Sequence, residues 1–278
     1  MGDPVGTEAE YSELVWTYRE LCDQHRGWCV FYEVSKEHLP LYLDLGLAPL
    51  KIGEEARVPM GGFSLEGREW RSLRHLAHRM EREAVTFEIV PPDQVPAWLP
   101  EFRRISAAWL GTRNTREKGF SLGRFDEAYL CHFPAAVVRQ AGKPVAFVNL
   151  WLNAGLEEFS ADLMRYVPEA PAGTMDYLFL QLMVWGSARQ YRWFNLGMAP
   201  LAGLENRPLA PAWQRVGALV YRHGEQFYNF EGLREYKQKF NPVWEPKYLV
   251  YPGRLNLPQV LVSITSLISG GIRGVVAK

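Results

Sequence analysis

The 278-residue sequence contains only three cysteines, Cys22, Cys29 and Cys131, with no CxxC pair. An odd count without paired spacing indicates neither a disulfide framework nor a zinc site, so the thiols read as buried free groups in a reducing compartment. Net charge is missing as well, because 31 Lys and Arg balance 31 Asp and Glu. A protein that binds nucleic acid over much of its surface is basic overall, so any phosphate contact here has to come from a local patch. No run has the length and apolarity of a membrane-spanning helix, and Met1 to Gly6 has neither the basic nor the apolar region of a signal peptide. The expectation is a soluble chain whose membrane contact is peripheral or is supplied by a neighbouring domain. Also absent are a GxSxG elbow, a GxxxxGK[ST] loop, a GxGxxG turn and an HExxH pair. Serine-hydrolase, P-loop and dinucleotide chemistry are disfavoured accordingly, and no metal site is expected. The six histidines are scattered, and His75 and His78 fall on a charged helix as surface residues.

What is present is ordinary globular material, 47% hydrophobic and 22% charged, with 10 Trp, 13 Tyr and 14 Phe. That is enough for one large core or two medium ones. Helical spacing runs from Glu8 to Arg26, ending at Gly27, and from Arg68 to Arg82, where Trp70, Leu73, Leu76 and Met80 share a face. Further helices are expected at Leu39 to Gly46, Leu99 to Leu110, Met175 to Gln190 and Asn229 to Phe240. Strand-like runs are Trp28 to Val34, Leu50 to Val58 (leading to a hairpin), Thr86 to Val90, Ala135 to Arg139, Val145 to Leu152, Glu157 to Asp162, Trp193 to Leu196 and Tyr248 to Tyr251. The polar, mainly basic stretch 111–119 marks a boundary between two lobes. Each half then reads helix–strand–strand–helix–strand, an α/β pattern in tandem. The tail from Leu255 to Lys278 has no acidic residue, and reads either as a docked helix or as an interfacial helix on anionic lipid.

Three stretches have chemical potential. In Phe159 to Tyr166 a strand is expected to end and to leave Asp162 and Arg165 three residues apart. They form either a salt bridge closing a loop or a polar pair beside a cleft. Phe194 to Glu205 opens from a strand into small uncharged residues. It is either a tight turn that needs glycine or a backbone approach to a ligand, with amides for an oxyanion. Phe227 to Phe240 interleaves aromatic and basic residues, with Arg234 and Lys237 on one helical face. It is either a solvated face over a core or a site for phosphate and ring stacking. Asp176 stands where a helix begins and reads as a cap.

Taken together, Val30-Phe31-Tyr32-Glu33-Val34, Gly53-Glu54-Glu55-Ala56, Arg116 to Gly123, Asp162-Leu163-Met164-Arg165-Tyr166, Trp193 to Leu201 and Gly232-Leu233-Arg234-Glu235-Tyr236-Lys237 resemble the catalytic domain of the multiple peptide resistance factor family. These are the phosphatidylglycerol lysyl- and alanyltransferases, and the resemblance runs over essentially the whole chain. It implies an α/β (α+β) fold of two tandem GNAT-like acyltransferase lobes, with mixed sheets flanked by helices. The first lobe would be 1–110, short of its opening strands, followed by a basic interlobe segment 111–119, a catalytic second lobe 120–254 and a helical tail 255–278.

The activity implied is transfer of alanine or lysine from aminoacyl-tRNA to a glycerol hydroxyl of phosphatidylglycerol, which alters membrane charge and gives resistance to cationic antimicrobial peptides. Aminoacyl-tRNA is a co-substrate and no cofactor or metal is implied. The pyrophosphate loop of acetyl-CoA-dependent relatives is not found. The resemblance implies Asp162, Lys237 and Glu231 as catalytic residues, Arg165, Arg234, Lys239, Asn195 and Tyr236 as substrate contacts, and Arg113, Arg116 and Lys118 as tRNA contacts. It places the reaction at the cytoplasmic face of the bacterial inner membrane, beside an N-terminal transmembrane flippase domain. An aminoacyl-lipid hydrolase and a non-catalytic lipid- or RNA-binding module are the alternatives.

Overall fold

The computed structural model describes residues 1–113, 117, 119–121, 123–204 and 230–268. The chain forms two compact units interleaved in sequence, 1–58 with 196–265 and 59–195 with 266–278. These bounds differ from a linear division at 111–119, because strands far apart in sequence complete each unit. Both units combine sheet and helix, so the fold is mixed α/β, as expected.

In the first unit, α1 (Tyr11–Gln24), β1 (Phe31–Ser35), α2 (Leu39–Asp44) and β2 (Ala48–Pro59) come from the N-terminal part of the chain. The end of β7 (Trp193–Pro200), then α7 (Phe230–Gln238), β8 (Val243–Tyr251) and α8 (Leu257–Ile268), come from the C-terminal part. Strand β8 lies between β1 and β2 and is antiparallel to both. The expected hairpin after β2 is not formed, since the sheet neighbours of β2 are the distant β8 and β7. Successive side chains on a strand face opposite ways, and β8 uses both faces. Val250 joins Val15, Val34, Tyr42, Leu45 and Leu47 in a core under α1 and α2. Leu249 and Tyr251 join Ile52 and Val260 in a second core under α8. The start of the tail is therefore a docked helix. Two register shifts sit beside β8, one between Tyr32 and Val34 and one between Lys51 and Gly53.

The second unit holds α3 (Arg71–Arg82), β3 (Val85–Val90), α4 (Val95–Arg113), α5 (Glu127–Leu130), β4 (Ala135–Gln140), β5 (Lys143–Leu152), β6 (Glu158–Tyr166), α6 (Thr174–Ala188) and the start of β7. Strands β3, β4, β5 and β6 are antiparallel neighbours, and β7 runs parallel to β6. A parallel step needs a crossover, which α6 provides. Because this helix is apolar on most sides, it buries Tyr177, Leu178, Phe179, Leu180, Leu182 and Met183. Phe159 stacks on Phe194 at 4.4 Å, and a Cβ at Gly186 would collide with the Phe159 ring. Phe102 of α4 stacks on Phe147 of β5 at 4.3 Å. Residues Val145 to Leu150 are buried without a break, as befits a strand covered by helices.

Candidate functional site

Asp162 lies in the middle of β6, not at its end, because the strand continues to Tyr166. Its side chain faces a cavity of roughly 400 Å³ lined by Gly119, Phe120, Gly123, Tyr129, Trp151 and Asp126, among others. Oδ2 accepts from the Tyr129 hydroxyl and from Asn149 Nδ2, each at 3.1 Å. The Tyr129 oxygen in turn accepts from Trp151 Nε1 at 2.8 Å. Asn149 is itself fixed by the Leu163 amide, which donates to its Oδ1 at 2.8 Å. Burial, and then the Asp162 charge, push the Tyr129 hydroxyl up to about 12, so it remains a donor toward the carboxylate. A Cβ at Gly123 would stand 2.5 Å from Asp162 Oδ1, so only glycine leaves that oxygen room. Across the cavity, Asp126 pairs with Arg124 at 3.3 Å and caps α5 by accepting from the Tyr129 amide at 3.1 Å. A partly buried carboxylate held by neutral donors, with the rings of Phe120, Tyr129 and Trp151 lining the same cavity, is suited to an ammonium group.

Arg165 does not share this cavity. Three residues on from Asp162, it takes the other face of β6 and is buried. Its guanidinium lies 4.1 Å over Trp109 and pairs with Glu117 at 3.0 Å. Asn195 donates to Glu158 at 3.0 Å. Both residues thus have partners that hold the second unit together. Glu231 falls within α7, but its side chain, like that of Arg113, lies outside the described residues, as do Arg116 and Lys118 entirely.

The first unit has its own concentration of charge. Arg234 and Lys237 of α7 turn the same way, as their spacing predicts. Arg234 pairs with Glu54 at 3.3 Å and lies 4.6 Å over Trp244. Lys237 is buried, and its Nζ donates to the carbonyls of Gly197 and Met198, each at 2.9 Å. Lys239 is exposed and rests over the Tyr236 ring at 4.8 Å. Strand β7 has a positive φ at Gly197 and runs on to Pro200, and a turn at 201–203 follows with positive φ at Leu201 and Gly203. The Leu201 amide donates to the Ile52 carbonyl at 2.7 Å.

Lys237 has neighbours that the sequence reading did not single out. Burial lowers its ammonium to about 8 against the pull of Glu55 and Glu33. Glu33 is raised to about 7 by burial and then by Glu55, against Lys247, Tyr32 and Lys237. Lys247 and Glu55 pair at 3.0 Å. One signal for Glu33 was available, an acid inside the apolar run Phe31-Tyr32-Glu33-Val34. Tyr129, Asn149 and Trp151 had none, since only the fold brings them to Asp162.

Comparison with known proteins follows the same lines. The family model for the C-terminal region of phosphatidylglycerol lysyltransferase matches residues 1–251. A phosphatidylglycerol lysyltransferase of Bacillus subtilis is 37% identical over 269 residues, covering 96% of this chain and 31% of that protein. The chain thus spans about a third of the length of the curated relatives it matches. The crystal structure of a C-terminal DUF2156 domain from Agrobacterium fabrum is 41% identical with a TM-score of 0.86, covering 98% of this chain and 82% of that one. The structure of L-PGS from Bacillus licheniformis is 39% identical with a TM-score of 0.81, covering 96% and 81%.

Proposed function

Because the chain belongs to the family of phosphatidylglycerol lysyltransferase C-terminal domains, we propose that it transfers an aminoacyl group to a glycerol hydroxyl of phosphatidylglycerol. The donor is aminoacyl-tRNA, with lysine favoured over alanine by the names of the relatives. The reaction is an ester exchange. The glycerol oxygen attacks the ester carbon, the bond from that carbon to the ribose oxygen breaks, and the glycerol proton ends on the ribose oxygen. One ester replaces another, so the step needs no ATP, and the work of the protein is orientation and charge stabilisation.

The observation that carries this reading is the Asp162 cavity. A carboxylate oriented by Tyr129 and Asn149 and ringed by aromatic side chains holds the amine of the aminoacyl group or passes the proton. Lys237 and Arg234 supply positive charge for phosphate or for the developing oxyanion, with Tyr236, Lys239 and Glu231 beside them on α7. Arg113, Arg116 and Lys118 contact the tRNA. Arg165 and Asn195 act by holding their own elements in place. The reaction takes place at the cytoplasmic membrane face beside an N-terminal membrane domain, a reading supported by the chain's spanning about a third of the relatives' length.

The test is Asp162→Asn, assayed with lysyl-tRNA or alanyl-tRNA and phosphatidylglycerol vesicles. The expected outcome is loss of lipid product by about a hundredfold or more, with an unchanged far-ultraviolet spectrum and melting temperature. Wild-type transfer by the variant would refute the assignment. Release of amino acid from preloaded lipid, without transfer, would point to a hydrolase instead.

A further inference from the structure

Glu54 takes no part in the chemistry described so far, although it belongs to the stretch Gly53-Glu54-Glu55-Ala56 that stands out in the sequence. It lies on β2 just past the register shift between Lys51 and Gly53. Its side chain is 15% exposed and carries two ion pairs, with Lys51 at 2.8 Å on Oε1 and with Arg234 of α7 at 3.3 Å on Oε2. The turn after β7 is shaped around the same group. Lys51 also donates to the Gly203 carbonyl at 2.8 Å, and a Cβ at Gly203 would collide with the Glu54 carboxylate. Strand β2, the turn and α7 thus meet at one carboxylate.

Sheet geometry explains how Arg234 is held there. Glu54 is opposite Pro246 and Ala56 is opposite Trp244, and residues two apart on a strand share a face. Glu54 and Trp244 therefore stand as diagonal neighbours on one face of the β2–β8 pair. Arg234 reaches this face from α7. Its guanidinium lies 4.6 Å over the Trp244 ring, and its Nη2 donates to Glu54. The indole sets the plane of the guanidinium, and the carboxylate sets its rotation within that plane. An arginine held by the ring alone is free to turn over it. A guanidinium already fixed in both respects loses less freedom when an oxyanion binds it.

We infer that Glu54 is a positioning residue for Arg234, locking the guanidinium against Trp244 in the orientation from which it meets a substrate oxyanion. The link itself stands on the contacts within the first unit. Its consequence for transfer rests on the aminoacyl transfer proposed above, in which Arg234 supplies positive charge.

The experiment uses 19F NMR of the chain labelled with 5-fluorotryptophan, with the Trp244 resonance assigned by its disappearance in Trp244→Phe. Glu54→Ala should move this resonance toward the position it takes in Arg234→Ala, where the ring has no guanidinium over it. Glu54→Gln, of the same size but without the charge, should move it the same way by less. Lys51→Met removes the other cation on the carboxylate and should leave the resonance at its wild-type position. Transfer from lysyl-tRNA to phosphatidylglycerol vesicles is measured on the same proteins. Glu54→Ala should lower kcat/KM about tenfold, and adding it to Arg234→Ala should lower kcat/KM by no more than about twofold further, as befits two residues that act through one contact.

A Trp244 resonance unmoved in both Glu54 variants would overturn the inference. So would losses that multiply in the double variant, or a Lys51→Met protein that shifts the resonance as far as Glu54→Ala does, because Glu54 would then serve the turn and the fold. If the wild type transfers nothing to lipid, the proposed function falls, and the Trp244 resonance still decides whether Glu54 holds Arg234.

Discussion

Asp162 and Glu33 are acids in different surroundings. Asp162 receives two neutral donors on one oxygen, from Tyr129 and Asn149. Glu33 meets desolvation and a like charge, and is raised from 4.5 to about 7. The raised value means that the native state holds the Glu33 proton more tightly than the unfolded chain does. The stability tied to that proton is fully present below pH 4.5 and is lost as pH rises through about 7. Glutamine mimics the protonated form at every pH. Thermal melting of Glu33→Gln should therefore match wild type near pH 4.5 and rise above it progressively toward pH 7, whereas parallel curves across this window would contradict the assignment. In the sequence, the acidic residue within an apolar strand was visible, but its positive φ was not. Residue types mark where polar groups interrupt an apolar pattern, and only the fold gives the conformation and the partners.

At the scale of elements, legibility followed the strength of the local pattern. The apolar runs that became α6 and β5 needed no partner to be recognised, because both are covered on more than one side. The alternation in β8 has a similar consequence, and its second face explains why α8 docks. Val260 is buried against Ile52, Leu249 and Tyr251. Val260→Ala should cost about 2 kcal/mol by denaturant unfolding, from lost apolar burial and the cavity left behind. A cost near zero would mean that α8 does not rest on this core. What local pattern could not show is pairing at long range. Strand β2 looked like half of a hairpin, yet it binds β8 across most of the chain. The expectation that β6 ended near Asp162 failed for a related reason. The polar residues there suggested a loop, but they face a cavity from within a strand that continues to Tyr166.

For the whole molecule, composition marked 111–119 as a boundary, while the compact units divide the chain at 58/59, 195/196 and 265/266. A basic run changes the local polarity without changing which strands pair, and β7 is itself divided between the two units at Asn195 and Leu196. Each unit carries its own chemistry: an aromatic cavity around Asp162 in the second, and a buried lysine in the first. The chain as a whole has no net charge and, among the described residues, no helix long and apolar enough to cross a membrane. The most direct test is to incubate this chain with lysyl-tRNA carrying labelled lysine and with vesicles of phosphatidylglycerol or phosphatidylcholine. The account predicts label in the lipid extract from phosphatidylglycerol vesicles alone, as an aminoacyl ester. Label that remains on tRNA, or that is released only as free lysine, would contradict it.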